Sequence, residues 1–213
     1  MSDWIPRVSR SSLVRTARVV SIVIAAAAAT ALVLVVVSKS TTPSRPPMRA
    51  SPGHRVVPLA LYREFAVLSR AGTDVCQDMG NLPAIESYIS ALPATARMQG
   101  SCCSPMDLQR FAEQMKALEA YSAIPEVPSD PYDISKSQAE ELLGFYNTVS
   151  LDPTQQRVYD VAQSQTTDHG WCCCQCWAWY THAGLAKYVI TQDGFGSQQT
   201  AQLIDLEDCC GGS

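Results

Sequence analysis

Three absences frame this chain. No cysteine precedes Cys76, although nine are present in 213 residues. No Ser/His/Asp grouping, Gly-rich phosphate loop or His-Glu-x-x-His occurs, so the familiar devices of acyl transfer, phosphoryl transfer and zinc hydrolysis are missing and the chain reads as a non-enzyme. Positive charge is scarce where a folded domain is expected. Residues 56–213 hold eight Lys and Arg against 19 Asp and Glu, a formal −11, whereas residues 1–55 hold eight against a single Asp, a formal +7. A nucleic-acid binder carries its positive charge on the folded part, so that class is excluded. At 46% hydrophobic and 17% charged, the composition also excludes collagen, a coiled-coil rod and wholesale disorder.

The basic N-terminal stretch, residues 1–18, leads into Val19–Val37, 19 residues with no charge and no proline. As a helix this run spans about 28 Å, close to the hydrocarbon thickness of a bilayer. Arg7, Arg10, Arg15 and Arg18 precede it, and a short basic N-terminus stays cytoplasmic, which places the remainder outside the cell membrane. The alternative is a cleaved signal peptide. Ala29-Thr30-Ala31 offers small residues for cleavage, but the apolar run continues past them to Val37, which favours an uncleaved signal anchor. Residues 38–58 hold five prolines among Ser, Thr and Arg. Repeated Pro denies donors to helix or sheet, so this stretch is expected to be an extended tether.

Residues 59–213 carry helical signals throughout, and the expected fold class is all-α. Leu61 to Leu68 and Leu82 to Leu92 are short candidates, the second stopped by Pro93. Ser104-Pro105-Met106-Asp107 offers an N-cap ahead of Leu108, Phe111, Ala112, Met115 and Leu118 at helical spacing. Ser137 to Glu140 has capping-box spacing, and Asp152-Pro153 opens a helix with Val158, Val161 and Ala162 on one side. Trp177 to Ile190 and a last helix, capped by Ser197 and running through Leu206, complete the set. No stretch alternates as a strand does.

The cysteines fall at the ends of these helices: Cys102-Cys103, Cys172-Cys173-Cys174-Gln175-Cys176 and Cys209-Cys210. Adjacent cysteines have Cα atoms about 3.8 Å apart, below the usual disulfide span, so each doublet must find distant partners or a metal. If residues 172–176 are extended, Cys172, Cys174 and Cys176 share one side and Cys173 faces the other; if they are helical, Cys172 and Cys173 each share a face with Cys176. Either state brings two or three thiols to one ion, and a helix N-terminus favours the thiolate. A soft metal, Cu(I) or Zn(II), fits such clustered thiolates best. His169 is a candidate imidazole ligand, His182 reads as a part-exposed helix residue, and His54 lies in the tether. Were the last helix to continue, Cys210 would share the buried stripe of Leu203 and Leu206, with Cys209 on the polar side, so Cys210 is expected to supply a further ligand or bridge to the cluster. Two alternatives stand beside the metal: a disulfide-stapled outer domain, and a thiol–disulfide oxidoreductase using Cys173-x-x-Cys176.

Tyr159-Asp160-Val161-Ala162 followed by Cys172-x-Cys174-x-Cys176, with Gly194-Phe195-Gly196-Ser197 and Leu203-Ile204-Asp205 beyond, resembles the PCYCGC-motif family of exported bacterial lipoproteins over residues 146–207. Trp171 stands where that family has Pro, Cys173 and Gln175 replace its Tyr and Gly, and the membrane anchor stands in place of its lipid. The resemblance implies an exported metal-handling protein with Cys172, Cys174 and Cys176 as ligands. The topology is open to a direct check. A cysteine introduced at Ala60 of a cysteine-less variant should react with an impermeant maleimide in intact cells. Labelling only after lysis would place the domain inside.

Overall fold

The computed structural model describes residues 56–71 and 80–211. The apolar run 19–37, the tether 38–58 up to Arg55, His54 and Cys76 lie outside the described residues. Among those described, no helix is long and apolar enough to cross a membrane.

The described region is mostly helical, as expected. In chain order it contains α1 (Leu59–Leu68), α2 (Leu82–Ala91), β1 (Arg97–Gln99), α3 (Leu108–Leu118), β2 (Asp133–Ser135), α4 (Lys136–Thr148), α5 (Pro153–Gln165), α6 (Trp177–Gln192) and α7 (Ser197–Glu207). The strands pair antiparallel, with Met98 opposite Ile134. Three-residue strands are too short to show the alternation by which strands announce themselves in sequence.

Helix α6 organises the rest. Trp177, Ala178, Tyr180 to Ala186, Val189 and Ile190 are all buried, while Trp179, Lys187, Tyr188 and Thr191 are half-buried and Gln192 is exposed, so most of the helix surface must be walled by its neighbours. Helices α4, α5, α7 and α2 supply the walls. The core has two parts along α6. At its N-terminal end Trp177, Ala178 and Tyr180 pack with Ile85, Ile89, Phe111, Tyr132, Ile134 and the cysteines. At its C-terminal end Ala183, Leu185, Ala186, Val189 and Ile190 pack with Leu142, Tyr159, Trp171, Leu203 and Ile204.

The starts of the helices differ in detail from the sequence reading. The cap of α3 is Asp107, whose carboxylate accepts the Arg110 N–H at 2.7 Å, rather than Ser104. Helix α4 is capped by Ser135 and not Ser137. Helix α5 begins at the expected Asp152, which accepts from Thr154 and Gln155 while the Gln155 side chain accepts the Asp152 N–H at 3.0 Å. Gly196, not Ser197, is the cap position of α7. On α5 the inward residues are Tyr159 and Ala162, and Val161 is exposed.

Helices α4 and α6 pack in close backbone contact. A Cβ added at Gly184 would sit 1.9 Å from the Leu142 carbonyl oxygen and 3.0 Å from the Tyr146 nitrogen, so glycine sets how closely the two backbones approach. Gly144, midway between Leu142 and Tyr146 and on the other side of α4, has nothing within 4 Å of the same construction. Gly184→Ala should cost at least about 2 kcal/mol in denaturant unfolding, because backbone cannot yield as a side chain can. Gly144→Ala should instead gain about 0.5–1 kcal/mol, the usual helix-interior difference. Equal effects at the two positions would remove the close packing of α4 on α6.

Candidate metal centre

Three chain segments meet at the N-terminal end of α6. Residues 172–176 run in a series of bends, neither extended strand nor helix, and end with Cys176 as the cap position of α6. Residues 101–104 lie beside the tail that follows α7. Their alignment is set by backbone bonds, with Cys102 N–H donating to the Cys209 carbonyl and Ser104 N–H to the Cys210 carbonyl, each at 3.1 Å. The Ser104 hydroxyl, freed from helix capping, also donates to the Cys210 carbonyl at 2.5 Å. Gly211 closes the tail with a φ of 95°, and its missing side chain leaves room for the Ser104 carbonyl, 2.4 Å from where a Cβ would be.

The helix therefore stops at Glu207, and Cys209 and Cys210 reach the sulfurs from a non-helical tail. Both are buried, which corrects the expectation that Cys209 would face solvent. The tail is aimed from α3. Gln114 Nε2 donates to the Leu206 carbonyl at 2.9 Å and the Asp208 carbonyl at 2.8 Å, satisfying acceptors that a helix end leaves open. Tyr132 Oη donates to Gln114 Oε1 at 2.9 Å, and Arg110 forms an ion pair with Asp208, whose carboxylate accepts the Cys210 N–H at 2.9 Å. Burial, then the neighbouring Cys210, pushes the Asp208 carboxyl up to about 7.

The result is a group of eight thiols. Cys210 Sγ lies 2.8 Å from Cys172, 2.9 Å from Cys173 and 3.5 Å from Cys102. Cys103 Sγ lies 3.1 Å from Cys173 and 3.3 Å from Cys174, and Cys209 approaches Cys102 at 3.9 Å. Each separation exceeds the roughly 2.05 Å of an S–S bond. Four sets of three sulfurs lie within 4.8 Å of one another: Cys102, Cys172 and Cys176; Cys102, Cys103 and Cys210; Cys172, Cys173 and Cys210; and Cys103, Cys173 and Cys174. A fifth set joins Cys210 to Asp168 and Asp208.

Of the residues read from sequence as ligands, Cys172, Cys173, Cys174, Cys176 and Cys210 all enter this group. Cys174, however, joins Cys103 and Cys173 rather than Cys172 and Cys176. Cys173 and Cys176, the ends of the C-x-x-C spacing, fall in different sets. His169 is not brought to the sulfurs. It is exposed at a φ of 51°, with Nδ1 3.0 Å from the Ser164 carbonyl. His182, expected to be part-exposed, is buried and its Nδ1 meets the Trp171 carbonyl at 2.6 Å; burial lowers its pKa and keeps it neutral. Cys102 and Cys103 were visible only as a doublet needing distant partners, and Asp168 and Asp208 gave no signal.

The electrostatics divide the thiols. The Cys176 pKa is lowered by its contacts with Cys102 and Cys172, which overcome burial, and by the N–H groups of Trp179 and Ala178 in the first turn of α6. Cys210 is lowered by Cys102 and Cys172, and further by Cys173. Cys102 is pushed up by its contacts with Cys172 first, then with Cys176, Cys209 and Cys210. Burial and then Cys210 push Cys173 up to about 12. Metal binding displaces the protons that these raised thiols carry, so affinity should tighten as pH rises. No family model, curated protein or solved structure matches the chain.

The loop ahead of Tyr132 carries a strained charge that serves as a handle on this buttress. Asp130 Oδ1 accepts the Tyr132 N–H at 2.8 Å, while Oδ2 is buried without a partner. Burial raises its pKa from 3.8 to about 6, against the lowering effect of the Tyr132 N–H. A folded-state value above the unfolded one contributes stability below pH 3.8 and loses it as pH rises through 6. Asp130→Asn keeps the acceptor and removes the charge. It should stabilise the domain by up to about 3 kcal/mol at pH 7.5, with the difference closing near pH 4, as read by urea unfolding at both pH values. A difference independent of pH would show that the charge is not the cause.

Proposed function

We propose that this chain is a membrane-anchored protein whose outer domain binds a soft metal ion, Cu or Zn, through clustered cysteine thiolates. The anchor and its orientation rest on the apolar run 19–37 and the arginines before it. The partial resemblance to the exported PCYCGC-motif proteins points the same way. The observation that carries the metal reading is the convergence of thiols from three segments far apart in sequence into sets within 4.8 Å. Sulfurs around one ion with bonds of about 2.3 Å lie about 4 Å apart, the scale of these sets.

The donor set suits the ion class. Thiolates select Cu(I) and Zn(II) over hard cations. Reduced, the same thiols crowd lone pairs and S–H groups into a half-buried space, where their mutual contacts lower the pKa of Cys176 and Cys210. A cation bound there would favour the thiolate form of the whole group. A disulfide-stapled domain is the second reading, favoured by the short approaches of Cys210 to Cys172 at 2.8 Å and to Cys173 at 2.9 Å, pairs that an oxidant would close with little movement.

Replacing Cys172, Cys174 and Cys176 together by Ser should abolish metal in domain purified without chelator. It should also lower the melting temperature, since structural zinc in finger peptides supplies about 10–16 kcal/mol of apparent binding free energy. Serine is itself a good N-cap at position 176, so α6 should still form and circular dichroism should stay helical. A native domain with no metal and no titratable thiols would establish the disulfide reading.

A further inference from the structure

The four thiol sets are not independent sites. Cys102, Cys103, Cys172, Cys173 and Cys210 each belong to two of them, while Cys174 and Cys176 each belong to one. Seven sulfurs therefore provide twelve ligand positions, three for each of four centres. Among the described residues no set has more than three ligand residues, one short of the four that a structural zinc takes. Each set has three, with five of the seven sulfurs placed between neighbouring centres.

We propose that the thiols of residues 102–103, 172–176 and 210 bind a thiolate-bridged Cu(I) cluster of up to four ions rather than a single ion. This rests on the metal-binding reading above and specifies its metal and nuclearity. Cu(I) is a closed-shell soft ion that is content with three thiolates, and a thiolate sulfur has lone pairs enough to bridge two such ions. The step balances as four Cu(I) and seven thiols giving a cluster of charge −3 and seven protons. No change of oxidation state is needed. The residual negative charge meets donors already in place: the N–H groups of Trp179 and Ala178 at the start of α6 face Cys176, and the Arg110 guanidinium, paired with Asp208, lies on the Cys210 side.

The sets also differ in exposure, and this gives the cluster a direction. Cys102, Cys172 and Cys176 are all buried, whereas Cys103 and Cys173 are exposed and Cys174 half-buried. Ions enter at the outer set and the inner set is reached through the shared sulfurs of Cys102, Cys172 and Cys210.

The test is anaerobic titration of the full-length reduced chain in detergent with Cu(I), against a chromophoric Cu(I) chelator, followed by native mass spectrometry and copper X-ray absorption. The expected result is two to four Cu(I) per chain with a short copper–copper distance. Cys210→Ser removes a sulfur shared by two centres and should lose twice as many ions as Cys174→Ser, which removes a sulfur used once. The comparison is made on variants whose helical circular dichroism matches the native chain. Saturation at one ion with no copper–copper distance overturns the cluster and leaves the single-ion reading standing. Retention of no copper overturns the cluster, and zinc analysis of the same sample then decides the broader reading: one bound zinc preserves it, none removes it.

Discussion

Everything near the thiols depends on a helix buried over most of its surface. Because α6 packs against α4, α5, α7 and α2, its axis is fixed by them together, and it cannot shift without disturbing the packing around it. Small residues make this possible. Gly184 lets the α4 backbone come close enough for Leu142 to seal one side, and Ala178, Ala183 and Ala186 keep the others narrow. The cysteines of 172–176 hang from the N-terminal end of that fixed axis, so their positions inherit its rigidity. The buttress of Arg110, Gln114 and Tyr132 does the same for the tail after α7.

The polar groups around the site follow one pattern. Backbone carbonyls left open where α7 ends are taken by side chains from α3, and the carbonyls of Cys209 and Cys210 are taken by the backbone of 102 and 104. The tail is thus satisfied without help from its sulfurs. The sulfurs remain available to one another and to whatever ion they meet. In this arrangement the backbone does the positioning and the side chains keep their chemistry.

How far the sequence spoke for this structure depended on range. Asp152 and Gln155 announce a helix start because the capping box is complete within four residues. Ser104 announced one too, but its hydroxyl is drawn to Cys210, more than a hundred residues away, and Asp107 takes the cap. The strands β1 and β2 were silent because three residues cannot show a period. The crowding of four thiols into Cys172–Cys176 was legible from local spacing alone. Cys210 was legible as an inward-facing partner of that segment, but Cys102 and Cys103 were not, since they meet it only through the packing of α3 and α7. His182 looked ordinary because a helix buried over most of its surface leaves little polar pattern by which a buried histidine could be told from an exposed one.

The three-segment origin of the thiols sets an order of events. In the unfolded chain, bringing Cys103 to Cys173 closes a loop of about seventy residues, and bringing Cys173 to Cys210 closes one of nearly forty, as their positions require. The entropic cost of such closures rises only as the logarithm of loop length, but it is incurred once. Whatever first bridges the segments, native packing or an arriving ion, meets that cost for everything that follows. On the proposed metal reading, a chain already folded around α6 would bind its first ion at little entropic expense, whereas a chain still unfolded would need the ion to act as a cross-link. The same sulfurs would then behave as a passive receptacle or as a folding nucleus, according to whether metal or compaction arrives first.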